Sequence, residues 1–140
     1  MLRKIIPDVV RDQALVHLAP AATVREAAAL MESGNVGSVL VMESGRLKGI
    51  FTERDVVCRV VAQGLDPDST RLDAVMTENP DTVAPGSTAL DALRRMQDGG
   101  YRHLPVVDRG KVVGVVSRRD FFGAEKAQLD EETAIWEHIG

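Results

Sequence analysis

The spacing of apolar residues along the chain changes in a fixed order, and the order occurs twice. Ala27, Leu30 and Met31 fall on one face of a helix. That stretch opens on Thr23 and Glu26, the capping-box pattern in which each side chain satisfies an orphan backbone N–H. Gly34 follows, a residue tolerant of the left-handed geometry that ends a helix. The apolar positions then close up into two short runs, Val39–Met42 and Leu47–Phe51. The turn Glu43-Ser44-Gly45-Arg46 between them predicts a hairpin with positive φ at Gly45. A second helix is expected from Asp55 towards Gly64.

The second pass starts at Val83. Thr88 and Asp91 open a helix lined by Leu93 and Met96 and ended by Gly99-Gly100. Strands Leu104–Val107 and Val112–Val116 flank the turn Asp108-Arg109-Gly110-Lys111. The last helix is expected to run from Asp120 into the tail. Leu18–Asp55 superimposes on Val83–Asp120 without a gap at a shift of sixty-five residues, with eleven of thirty-eight positions identical. Among the identities are Gly49/Gly114, Arg54/Arg119 and Asp55/Asp120. Such self-similarity marks a duplicated supersecondary unit.

Gly64–Thr70 reads as the linker, and Leu72–Met76 as a short helical lead-in to the second copy; Asp8-Val9-Val10 stands at the matching place before the first. The divisions expected are 1–66 for the first repeat with its lead-in, 67–124 for the second, and 125–140 for a helical tail. One such unit is too small to cover both faces of its sheet. Two copies packed as an intramolecular pseudo-twofold pair solve this, and create two clefts.

Composition narrows the class. At 140 residues with 44% apolar and 27% charged side chains, the chain has the make-up of a soluble globular domain. The net charge of −4 argues against nucleic acid as partner. No apolar run is long enough to span a bilayer, and no signal peptide opens the chain, so a cytoplasmic location is expected. Cys58 is the single cysteine; lying in the run Val56-Val57-Cys58, it is expected to be a small buried hydrophobe. His17, His103 and His138 have no metal-ligand spacing. No nucleophile–base pair is evident, so neither catalysis nor a cofactor is expected.

The chemistry concentrates where each second strand ends: Gly49-Ile50-Phe51-Thr52-Glu53-Arg54-Asp55 and Gly114-Val115-Val116-Ser117-Arg118-Arg119-Asp120. Backbone N–H groups at a helix start attract anions. A hydroxyl can donate to a phosphate or ribose oxygen, a carboxylate can accept from a ribose diol, and an arginine can pair with phosphate. Taken singly, Asp55 and Asp120 are N-caps, and Arg54 and Arg119 surface charges. Their coincidence at fixed spacing in both copies favours a ligand.

With Tyr101-Arg102-His103-Leu104-Pro105-Val106-Val107-Asp108 leading the second hairpin, the doubled pattern resembles a cystathionine-β-synthase (CBS) domain pair over about Val9 to Ala124. The resemblance implies an α+β fold of two tandem β-α-β-β-α repeats. It also implies a regulatory module that takes an adenosyl ligand (AMP, ATP or NAD, with S-adenosylmethionine in the same class), forms a homodimer, and signals to a separate protein. Asp55 and Asp120 would hold ribose hydroxyls. Thr52 and Ser117 would lie near ribose or phosphate, and Arg54 and Arg119 would face phosphate. Val36 and Ser38 in one copy, and Val83, Tyr101, Arg102, His103, Leu104 and Pro105 in the other, would line the adenine pockets. Copy one has Gly37-Ser38-Val39-Leu40 where copy two has Arg102-His103-Leu104-Pro105, so the Asp120 site ranks first for phosphate-bearing ligands. The alternative is a ligand-independent dimerisation or interaction module. In the tail, Leu129, Ile135, Trp136 and Ile139 among acidic residues suggest an amphipathic helix whose tryptophan packs on its own chain or a dimer mate.

Overall fold

A computed structural model describes residues 2–11 and 13–139, with side chains as far as Trp136. The chain forms two units, each with its own core. One is the contiguous stretch Ala14–Pro80; the other joins the residues before Ala14 to those from Asp81 onward.

The contiguous unit contains β1 (His17–Leu18), α1 (Val24–Gly34), β2 (Ser38–Glu43), β3 (Arg46–Thr52), α2 (Glu53–Asp55), α3 (Leu72–Val75) and β4 (Thr77–Glu78). After α2 the chain continues as a π-helical stretch, Val56–Val61. The sheet order is β1-β2-β3-β4, with β1 parallel to β2 and the remaining pairs antiparallel. Its core holds Val24, Ala27, Met31, Val39, Val41, Phe51, Val60, Leu72 and Val75. The other unit contains α4 (Ala89–Gly99), the hairpin β5 (His103–Asp108) and β6 (Lys111–Ser117), a 3₁₀ turn at Arg118–Asp120, and α5 (Gly123–Ile139). Its core includes Ile5, Val83, Leu93, Met96, Leu104, Val106, Val116, Phe121 and Leu129.

Local chemistry explains the elements. Both capping boxes form: Glu26 N–H donates to Thr23 Oγ1 at 3.2 Å and Asp91 N–H to Thr88 Oγ1 at 3.2 Å, with the reciprocal bonds at 3.1 Å each. These bonds hold the Asp91 carboxyl below the usual carboxylate range. Both hairpin turns have two residues at positive φ, Ser44 and Gly45 at 52° and 76°, and Arg109 and Gly110 at 52° and 80°. This is the mirror-image turn whose twist suits a hairpin.

Three expectations change. Gly34 is the last helical residue of α1, and Asn35 takes the left-handed position at φ 50°, which a short polar side chain tolerates. Cys58 is exposed, because Val60 is the residue that turns inward and Cys58, with Val57 and Val61 at 61% and 67% exposure, lies on the outer side. The helix expected from Asp120 is interrupted. Phe121 is extended and buried at 4%, and α5 starts afresh at Gly123. The side chains of His138 and Ile139 lie outside the described residues.

The arms before each copy are built into the core of the other. Ile5, ahead of copy one, lies in the core of copy two; Leu72, ahead of copy two, lies in the core of copy one; both are 0% exposed. The hydrogen bonds match. Ile5 N–H donates to Ser87 O at 2.8 Å and Ala89 N–H to Arg3 O at 2.8 Å, while Leu72 N–H donates to Ala22 O at 2.9 Å and Val24 N–H to Thr70 O at 3.0 Å. Each arm also covers the outer edge of its hairpin. β4 pairs with Gly49 and Ile50, and the Gln13 side-chain amide exchanges bonds of 2.8 and 2.9 Å with the Val115 backbone.

This closeness gives Gly49 its purpose. A Cβ there would stand 2.7 Å from Thr77 O and 2.5 Å from Met76 Sδ. Gly49→Ala is therefore expected to cost about 1–3 kcal/mol, as overpacking does, in chemical unfolding of the protein. A neutral effect would show that the arm yields freely.

Candidate functional site

Both hairpins end on a hydroxyl residue and turn at once. In the contiguous unit Thr52 N–H donates to Asp55 Oδ2 at 2.9 Å, and Asp55 N–H donates to Thr52 Oγ1 at 3.2 Å. In the other unit Ser117 N–H donates to Asp120 Oδ2 at 2.7 Å. The Ser117 hydroxyl oxygen faces the Asp120 N–H in a capping box, and its own proton, screened from solvent, has no acceptor among the described residues. Thr52 and Ser117 thus take the N-cap position, and the aspartates stand three residues further on. Each carboxylate commits Oδ2 to the turn.

The strand start named beside each turn is fixed to it by backbone. Glu53 N–H donates to Gly37 O at 3.0 Å, and Arg118 N–H donates to Arg102 O at 2.9 Å. Ser38 lies opposite Thr52 in the ladder, and His103 opposite Ser117. Each unit therefore gathers one set: Val36, Ser38, Thr52 and Asp55, or Arg102, His103, Ser117 and Asp120. Arg54, Arg102 and Arg119 are exposed, and Ser38 is buried at 7%. Tyr101 is half-buried; a hydrogen bond to Asp81 holds its hydroxyl above the ordinary pKa. Val83 and Leu104, at 3% and 1% exposure, pack into the core and present almost no surface, and Pro105 is buried as well.

Sequence comparison of the copies missed two arginines. Arg59 stands 3.5 Å from Asp55 Oδ1 and donates to the carbonyls of Val75 and Met76 at 3.1 and 3.0 Å, tying the turn to its arm. The aligned residue in copy two is Ala124, so the repeat gives no hint of it. There the guanidinium comes from Arg3, which donates to Asp120 O at 3.4 Å and to Asp8 O at 3.0 Å. Arg3 also forks onto Glu125, at 3.0 and 2.6 Å, and lies 3.7 Å from the centroid of Phe122. The fork holds the Glu125 carboxyl below its usual range and the Arg3 guanidinium above its own.

Among the described residues no group of His, Cys, Asp and Glu is arranged to hold a metal ion, and no helix is long and apolar enough to cross a membrane. A hydroxyl and a carboxylate at one turn, with arginines nearby, suit a ligand that carries both a diol and negative charge.

Comparison with known proteins gives the family. The CBS domain matches at residues 6–62 and again at 72–127. The CBS domain-containing protein CBSCBSPB3 of Arabidopsis thaliana is 38% identical over 110 residues, which cover 78% of this chain and 20% of that protein. The chain thus spans about a fifth of the length of the first curated relatives it matches. The CBS domain-containing protein YhcV of Bacillus subtilis is 39% identical over 103 residues, covering 74% of this chain and 73% of that one. A solved CBS domain protein from Pyrobaculum aerophilum, complexed with AMP, matches with a TM-score of 0.76 and 31% identity, covering 86% of this chain and 95% of that one. The chain belongs to the CBS domain family and carries two tandem copies of the domain.

Proposed function

We propose that the chain is a regulatory module that binds an adenine nucleotide at its strand-to-helix turns. The observation that carries this is the Ser117 hydroxyl, whose proton is buried without an acceptor among the described residues, beside the Asp120 carboxylate. A buried hydroxyl left unsatisfied costs stability, and a ligand oxygen would satisfy it. AMP is the bound molecule of a relative with 31% identity, which supports the ligand class.

In this scheme Asp120 accepts from the ribose diol, Ser117 donates to a ribose or phosphate oxygen, and Arg102 and Arg119 face the phosphate. Asp55, Thr52 and Arg54 supply the corresponding groups in the other unit, which ranks second because Gly37 and Ser38 replace the basic pair there. No catalytic step is assigned. Ligand state is passed on by a homodimer to a separate protein in the cytoplasm. Val57 and Val61, exposed on one side of the stretch after α2, support self-association.

The test is isothermal calorimetry of the full chain with AMP, paired with its thermal unfolding. Binding heat is expected, with stabilisation that grows with ligand and reaches about 2.7 kcal/mol at a hundredfold excess over Kd. Neither heat nor a shift with AMP, ATP, NAD or S-adenosylmethionine would leave the alternative, a dimerisation module indifferent to nucleotide.

A further inference from the structure

We propose that Arg3 is a latch through which occupation of the Asp120 turn controls the docking of helix α5. The inference deepens the nucleotide assignment and rests on it for the ligand, though not for the latch itself.

α5 is held in an unusual way for a helix of 17 residues. Among the described residues, Leu129 is its one side chain in the core cluster. The rest of its attachment is polar. Arg94 forks onto Glu132 at 2.8–3.1 Å, and Gln97 donates to Thr133 Oγ1 at 3.2 Å. At the first turn Arg3 forks onto Glu125. The Arg94–Glu132 pair is half exposed, at 46% and 34%, and such pairs hold weakly in water. The Arg3–Glu125 pair is at 19% and 16%, so it is the firmer anchor.

Arg3 also touches the ligand turn, through Asp120 O and through the ring of Phe122 two residues later. In the contiguous unit Arg59 ties the Asp55 turn to the carbonyls of Val75 and Met76 in the neighbouring arm, and the structure gives it no tail helix to hold. The same cationic post thus exists twice, but only in the second copy is it shared with α5. A phosphate seated at the Asp120 turn competes with Glu125 for one guanidinium. Ligand binding and α5 docking then oppose each other, and the opposition is reciprocal.

Hydrogen exchange of the full chain tests both parts. Without ligand, Glu125→Gln and Arg3→Gln are each expected to speed amide exchange across residues 125–136 about tenfold or more, with α1 unchanged as an internal control. Unchanged α5 exchange in both variants overturns the latch. With AMP as the probe, saturation is expected to speed α5 exchange in the natural chain. Glu125→Gln, which frees Arg3, should tighten AMP by about fivefold or more, whereas Arg3→Gln should not. Calorimetric binding of AMP with α5 exchange unmoved, or equal AMP affinity in all three proteins, overturns the coupling. Absence of AMP binding in the natural chain sinks the nucleotide assignment instead, and the latch then stands or falls on the ligand-free exchange.

Discussion

Replacing Phe51 by Ala is expected to cost the contiguous unit about 3–5 kcal/mol, the usual penalty for emptying a buried aromatic site. Phe51 is 0% exposed and is the largest fully buried side chain described. It shares its core with Val39 and Val41 from β2, and with Val24, Ala27 and Met31 from α1. Shrinking it leaves a void that these short aliphatic side chains cannot fill without moving the sheet. The loss is a large share of the whole stability of an ordinary domain, about 5–15 kcal/mol. The duplication supplies its own control. The matching position in copy two is Val116, also 0% exposed, so Val116→Ala removes much less volume and should cost distinctly less. Urea unfolding followed by exchange-resolved mass spectrometry separates the two units. A loss below about 1 kcal/mol for Phe51→Ala would mean that the core repacks.

Asp120→Ala is expected to weaken AMP binding by about 10–100-fold, the value of one or two hydrogen bonds to a charged acceptor. The same substitution removes the 2.7 Å bond from Ser117 N–H, so a stability loss of about 1 kcal/mol should accompany it. The two effects are separable. Asp120→Asn keeps an acceptor for the turn but lacks the charge, and should recover stability more fully than affinity. Asp55→Ala should lower affinity less if the second copy is the principal site. AMP affinity unaltered in Asp120→Ala would place the ligand elsewhere.

Much of the fold is legible in the sequence because its signals are local. Thr23 with Glu26, and Thr88 with Asp91, announce helix starts through bonds spanning three residues. The hairpins follow from Gly45 and Gly110 within alternating apolar runs, and the shift of sixty-five residues carries one description over to the other copy. The turn at Asp55 and Asp120 is legible for the same reason, but the cap itself is Thr52 or Ser117, and each aspartate is its partner three residues on rather than the N-cap expected.

What sequence could not supply depends on packing at a distance. Ile5 and Leu72 look like parts of the copies they precede, and only the three-dimensional structure shows that each fills the core of the other. Cys58 sits in an apolar run, yet Val60 takes the buried place. Arg3 lies more than a hundred residues from Asp120, and Arg59 aligns with Ala124, so comparing the copies conceals both cations. The break at Phe121 arises because its ring is drawn into the core, a choice that helical periodicity does not register.

The exchange of arms also sets an order of assembly during synthesis. Everything the unit Ala14–Pro80 needs, Leu72 and β4 included, is one unbroken stretch, so it can close while the ribosome is still translating copy two. Ile5 is made before copy one but has no core to enter until β5 and β6 have emerged. A segment synthesised ahead of copy one thus finds its place only after copy one has closed, and a cut anywhere between the arm and Ala14 would unsettle the later copy while sparing the earlier one.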